Sequence, residues 1–192
     1  ELAMCVGSVF LMLQSMNGLS SRTVGVSGLG PAGLVAIQMA RAEGASRIIG
    51  FDLLAKRREQ AMALGCEAVY DPTDCPLGSR PGKLQLETTI DCVGAKSSVE
   101  FLMDRTEDIV ALFGVQRTDY TYAPRHYSKL RLCGYQGHSR KAAEYAVELI
   151  KNRKLDLAPL VTHHLPLEAY DEGIGLLERQ EGMKICFWPW QE

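Results

Sequence analysis

Leu2, Val6, Val9, Phe10 and Leu13 recur at the three- and four-residue spacing of one helix face, and Asn17-Gly18 closes the pattern, so residues 1–18 are expected to be helical. The rhythm then changes. Short runs that are apolar almost throughout alternate with longer amphipathic stretches. "TVGVSG" (23–28) predicts a buried strand, and Leu34 to Ala42 a helix that Gly44 stops. Ala36, Ala40 and Ala42 favour helix and permit close approach to a sheet. "RIIGFD" (47–52) predicts the next strand, "AKRREQAMALG" (55–65) a helix with Gly65 at its C-terminal cap, and "EAVYDP" (67–72) a short strand closed by Pro72. Residues 73–86, with Pro76, Gly78, Pro81 and Gly82, form the least regular stretch. "TTIDCVG" (88–94) predicts a strand, "SSVEFLMDRTED" (97–108) a short helix and "IVALFGV" (109–115) a strand. A polar, aromatic loop over 116–128 leads to the strand "KLRLCGY" (129–135), and Ser139 is suited to cap a helix over 140–154. "APLVTHHLPL" (158–167) reads as extended, 168–181 as helix, and "MKICFWPW" (183–190) as a last strand.

Strands that alternate with helices pair in parallel through right-handed crossovers, and near-continuous apolar strands are covered on both faces. The expected fold is therefore α/β, a doubly wound parallel sheet of the Rossmann kind.

Composition narrows the function without naming it. At 192 residues the chain suits one domain, or one domain with an appendage, and 46% hydrophobic residues give it a core. A net charge of −2 offers no basic footprint, so nucleic acid is not expected as a partner. No apolar run reaches the roughly 18 residues of a membrane span. The opening "ELAMCVGSVFLMLQSM" lacks a basic leader and a small-residue cleavage site, and no signal peptide is expected. Six scattered cysteines (Cys5, Cys66, Cys75, Cys92, Cys133 and Cys186) contain no CxxC pair; free thiols in a reducing cytoplasm are the simpler expectation. The chain opens on Glu1 rather than Met, as a piece of something longer would.

The candidate chemistry begins at "GLGPAG" (28–33). A glycine triplet alone says little, but here a strand precedes it, a helix follows it, and Asp52 closes the next strand 19 residues past Gly33. Gly28 permits the tight turn. Gly30 removes the side chain that would block a pyrophosphate. Gly33 lets the helix pack closely on the strand. Pro31 suits the first helical turn, and the positive end of the helix receives phosphates. Asp52 can accept both hydroxyls of an adenosine ribose and would repel a 2′-phosphate, which favours NAD over NADP. Arg57 has two readings from sequence: reaching back to that ribose, or lying on a solvated helix face beside Arg58 and Glu59.

With "GLGPAG", the "FD" strand end and a basic residue five on, "ALGCEAVYDP", "IDCVG" and the closing "PLVTHHLPLEAYDEGIGLLERQEGMKICFWP", the chain resembles the cofactor-binding domain of the medium-chain, zinc-dependent alcohol dehydrogenase superfamily. The polyol and threonine dehydrogenase-like branches are nearest. The resemblance spans nearly the whole chain, and the closing pattern is its most specific part. It implies that Gly28, Gly30, Pro31, Ala32 and Gly33 line the pyrophosphate and that Asp52 and Arg57 flank the adenosine ribose. It implies that Val93 and Gly94 lie beside the cofactor, that Phe113, Gly114 and Val115 meet the nicotinamide amide, and that Lys184 reaches the phosphates. For these later positions plain strand-end packing is the alternative. The sequence departs from the family at "RTEDIVALFGV", where a glycine turn normally precedes the strand.

The resemblance further implies a linking helix over 1–18, a dinucleotide-binding domain over 19–158, and a return segment over 159–192 that would pack on a catalytic domain absent from this chain. The catalytic zinc of such enzymes is held mainly by that domain. Cys5 falls near the position of the last zinc ligand, with Ser8-Val9 supporting the register; one ligand does not make a zinc site, and a buried helical thiol is the alternative. His163 and His164 are adjacent in an extended segment and would point to opposite sides. Zinc is therefore expected only in a full-length enzyme, and no metal on these residues alone. The implied function is the NAD-binding portion of an oxidoreductase that transfers a hydride between an alcohol or polyol and the nicotinamide, inactive as this chain alone and dimeric through the edge strand "KLRLCGY". Two alternatives stand beside it: a non-catalytic dinucleotide-binding or sensor domain, and a zinc-free, NADPH-using reductase of the quinone-reductase branch, against which Asp52 argues.

Overall fold

Thr23–Ser27 is buried at every position, the mark of a strand covered on both faces, and forms β1. The computed structural model describes residues 1–79, 86–127 and 129–190; Pro81 and Gly82, expected to break the chain, lie outside the described residues. Ahead of β1 runs α1 (Leu2–Ser15), and Asn17, just past its end, is left-handed at φ 53°. After β1 come α2 (Pro31–Ala42), β2 (Arg47–Phe51), α3 (Ala55–Ala63), β3 (Ala68–Tyr70), β4 (Leu86–Asp91), α4 (Lys96–Met103), β5 (Thr106–Leu112), β6 (Arg131–Gly134) and α5 (Arg140–Lys151).

The six strands form one sheet in the order β3-β2-β1-β4-β5-β6, every pair parallel. This is the doubly wound order, and it reverses direction between β1 and β4. Because β2 lies on one side of β1 and β5 on the other side of β4, right-handed crossovers put α2 and α4 on opposite faces. On one face α1 packs against α2 and α5. On the other, Ile49, Phe51, Val99, Leu102, Met103, Val110 and Leu112 form a continuous buried cluster. At the reversal Val26 is level with Ile90 and Ser27 with Asp91, so the carboxyl ends of β1 and β4 finish side by side.

Several boundaries shift by two or three residues, and the largest difference from the sequence expectation lies between α4 and β5. The helix expected to run to Asp108 stops at Met103, and Thr106, Glu107 and Asp108 belong to β5. The Thr106 hydroxyl donates to the Leu102 carbonyl at 2.7 Å and meets the Thr89 hydroxyl at 2.8 Å, which turns the chain straight into the sheet. Asp108 is polar because it meets Arg22 (2.6 Å) and Arg131 (2.7 Å) at the amino-terminal edge of the sheet.

Glu1–Leu155 is one compact unit and Asp156–Glu192 a second. In the second, β7 (Val161–Pro166) pairs in parallel with β8 (Lys184–Trp188), joined by α6 (Tyr170–Glu178). Phe187 packs on the Tyr170 ring (centroids 5.5 Å apart) and so close to Gly173 that a Cβ there would lie 2.5 Å from it. Trp188 and Trp190 are exposed.

Candidate functional site

β1 ends at Ser27 and the chain turns at once into α2. Gly28 makes the turn at φ +84°, and a Cβ there would lie 2.6 Å from the Val93 side chain. Gly33 is under a tighter constraint: its Cβ would fall 2.0 Å from the Gly28 carbonyl oxygen. Strand and helix meet here backbone to backbone. Gly30 is different. It is the N-cap of α2 at an ordinary φ of −72°, and the nearest atom to a Cβ at Gly30 would be the Arg57 guanidinium at 3.9 Å. Pro31 follows at the first helical position, with Ala32 next. The result is open space at the N-terminus of a twelve-residue helix, where unpaired N–H groups and the helix dipole favour an anion.

Asp52 stands beside this space. It is only 8% exposed. Its Oδ2 accepts the Leu29 N–H at 2.8 Å, from the middle of the glycine turn, and its Oδ1 accepts the Leu54 N–H at 2.9 Å. Each carboxylate oxygen can accept more than one such bond. The Arg57 guanidinium lies 3.7 Å from Oδ2, its side chain 29% exposed, so Arg57 faces the turn and not open solvent. Arg58 donates to the carbonyls of Asp52 (2.7 Å) and Leu53 (2.9 Å) and pairs with Asp71.

Across the reversal a second group of backbone contacts is built on β4 and β5. Gly94 has φ +77°, and a Cβ on it would lie 2.1 Å from the Val115 carbonyl oxygen; a Cβ on Gly114 would lie 2.3 Å from the Gly94 nitrogen. The two strand ends thus touch through glycine. Val93 and Val115 are exposed on this rim, and the Phe113 and Tyr135 rings meet in a T-shaped contact, centroids 5.5 Å apart. Asp91, which the sequence reading did not single out, underlies the rim. It is fully buried and accepts hydrogen bonds from Ser98 Oγ (2.7 Å), the Gly94 N–H (2.9 Å), Gln116 Nε2 (3.2 Å) and the Val93 N–H (3.3 Å). An acid inside an apolar strand, directly before a glycine turn, was the signal available in "TTIDCVG".

Gly28, Gly30, Pro31, Ala32, Gly33, Asp52 and Arg57 are thus brought together around one turn, and Gly28 meets Val93. Gly94, Gly114 and Val115 form the second contact. Lys184 opens β8 in the second unit. Burial pushes the Cys66 thiol up to about 12; burial and then the neighbouring Asp91 charge push Cys92 up as well, so both remain neutral thiols. All six cysteines are free. Cys5 Sγ lies 3.0 Å from His138 Nε2, and the Nδ1 of that ring lies 3.4 Å from the Tyr135 hydroxyl. Among the described residues no three His, Cys, Asp or Glu side chains are gathered to hold a metal ion, and no helix is long and apolar enough to cross a membrane.

The zinc-binding dehydrogenase family matches residues 31–152. Sorbitol dehydrogenase of Rattus norvegicus is 31% identical over 174 residues, a match covering 83% of this chain and 47% of the relative. The alcohol dehydrogenase TADH from Thermus sp. ATN1 superposes with a TM-score of 0.79 at 22% identity, over 95% of this chain and 55% of that one. L-idonate 5-dehydrogenase from Escherichia coli superposes with a TM-score of 0.83 at 17% identity, over 97% and 54%. At these identities the two structures establish the fold alone. The chain spans about half the length of the curated relatives it matches. With the match running from the first residue of α2 to the end of α5, over the glycine-turn helix, Asp52 and the second rim, the chain belongs to the zinc-binding dehydrogenase family.

Proposed function

We propose that this chain is the NAD-binding portion of an oxidoreductase that transfers a hydride between an alcohol or polyol and the nicotinamide. One observation carries the reading: Gly33 is closed by backbone at 2.0 Å while Gly30, three residues earlier, faces open space at the helix N-terminus. Packing explains the first glycine. It does not explain the second, and a pyrophosphate does.

The residues present fit a dinucleotide. The helix N-terminus after Gly30 would take the pyrophosphate, with Gly28, Pro31, Ala32 and Gly33 shaping its floor. The remaining lone pairs of Asp52 would accept the adenosine ribose hydroxyls, with Arg57 beside them. A 2′-phosphate would stand against the Asp52 carboxylate, so NAD is favoured over NADP. Val93, Gly94, Phe113, Gly114 and Val115 would line the nicotinamide side. Lys184 is a further candidate for the phosphates, on residue type and its place at the start of the last strand. The bound nicotinamide supplies the hydride acceptor; this chain holds and orients it.

The alcohol or polyol class rests on sequence relatives named sorbitol dehydrogenase and alcohol dehydrogenase 1. Zinc does not fit these residues by themselves, because a tetrahedral site needs three protein ligands and, among the described residues, no group of three His, Cys, Asp or Glu side chains forms around Cys5 and His138. The chain alone is therefore expected to turn over no alcohol. Six free thiols support a reducing, cytoplasmic setting. The edge strand β6 would pair with a second copy to form a homodimer.

Calorimetric titration of the chain with NADH and NADPH tests the reading. NADH should bind more tightly, and Asp52→Ala should weaken NADH by about 1.5–3 kcal/mol, the worth of a charged hydrogen bond, while narrowing the gap to NADPH. Equal or reversed affinities would overturn the cofactor assignment.

A further inference from the structure

We infer that Asp91 is a positioning residue for the nicotinamide end of the site, acting through the backbone it holds and never touching the cofactor. The inference rests on the cofactor reading above and extends it to a residue with no surface of its own.

The carboxylate of Asp91 is fully buried at the carboxyl end of β4, in the middle of the sheet. Four donors converge on it. Oδ1 accepts from the Val93 N–H and Ser98 Oγ; Oδ2 accepts from the Gly94 N–H and Gln116 Nε2. Its backbone carbonyl accepts the N–H groups of Phe113 (2.9 Å) and Gly114 (2.8 Å). Gln116 Nε2 also donates to the Gly114 carbonyl at 2.8 Å, and Ser98 Oγ meets Ser27 Oγ at 2.8 Å, directly before Gly28. One residue therefore fixes the turn after β4, the segment after β5 and, through Ser98, the end of β1. The contact it secures cannot be secured by side chains, because Gly94 and Gly114 approach too closely to carry any. A carboxylate, with two oxygens and about four lone-pair sites, can take all four donors.

Asp91→Asn keeps the volume and breaks this pattern. An amide offers one oxygen and one NH2. With the oxygen toward Gly94, the NH2 faces Ser98, which can rotate to accept, and the Val93 N–H, which cannot. With the amide reversed, the Gly94 N–H loses its acceptor. Either way a backbone donor of the second rim is orphaned, while Leu29, Asp52 and the Gly30 N-cap keep every bond they have.

Calorimetry on the full chain with NADH and with ADP-ribose, which lacks the nicotinamide, separates the two halves of the site. Asp91→Asn should weaken NADH about tenfold, the effect of one lost buried hydrogen bond, and change ADP-ribose less than about twofold. Gln116→Ala, which removes one of the four donors at a partly exposed position, should weaken NADH selectively but less, and it carries the test if Asp91→Asn does not fold. NADH and ADP-ribose weakening together, or neither changing, in the folded variants would make Asp91 merely structural and overturn the inference. Wild-type chain that binds neither molecule would instead sink the cofactor reading, and this inference with it.

Discussion

Replacing Gly33 with alanine would put a methyl group 2.0 Å from the Gly28 carbonyl oxygen, where ordinary contact begins at 3.4 Å, so turn and helix must be forced apart. The helix has nowhere to go: Val35, Ile37 and Ala40 are fully buried and Leu34 is 1% exposed. The obstacle is backbone, which cannot swing aside as a side chain can, so the upper part of the usual overpacking range of about 1–3 kcal/mol applies. At about 2–4 °C per kcal/mol for a chain of this size, melting should fall by roughly 4–12 °C without any ligand. Gly30→Ala is the counterpart. Its methyl meets nothing nearer than Arg57 at 3.9 Å. Stability should stay within about 1 kcal/mol of wild type, the ordinary range for an N-cap change. The same methyl fills the space assigned to the pyrophosphate, so NADH affinity should fall about 5- to 150-fold, the same overpacking energy read as binding. Thermal melts and calorimetry on the two variants read both quantities. A Gly33→Ala protein that melts with wild type would refute the packing argument, and undiminished NADH binding by Gly30→Ala would refute the site.

At the opposite edge of the sheet, burial disfavours the Asp108 charge, but hydrogen bonds and charge from Arg131 and Arg22 outweigh it and hold the carboxyl below its usual range. Its stabilisation is thus full above the unfolded value of about 3.9 and is lost as pH falls through the lower folded value. Asp108→Asn should lower the urea midpoint at neutral pH and flatten part of the loss below about pH 4; an unchanged acid slope would contradict the assignment. Light scattering over a dilution series should show a dimer that persists in Trp190→Ser, as pairing through β6 requires, and a strict monomer at every concentration would exclude that pairing.

The glycine turn was legible because its geometry admits few residues: Gly28 needs a positive φ and Gly33 a missing Cβ. The alternation of strands and helices was legible because strands buried on both faces read as apolar runs. The start of β5 was not, since Thr106, Glu107 and Asp108 sit at the amino-terminal edge, where polar residues bond to loops and arginines and break the apolar run. The role of Asp91 was hidden because its four donors come from Val93, Gly94, Ser98 and Gln116, which only the fold brings to one carboxylate. Arg57 could not be assigned from sequence, because a helix surface and a turn contact share the same spacing; the 3.7 Å approach to Asp52 favours the turn.

Hydrogen exchange of the backbone amides, with and without saturating NADH, tests the central claim most directly, because it asks where on this chain the dinucleotide sits. Exchange should slow over residues 28–34 and 52–57, with a second region at 93–94 and 113–116, and stay unchanged along the amino-terminal edge around Arg22 and Asp108. Protection confined to other residues, or none at all at saturating NADH, would contradict that claim.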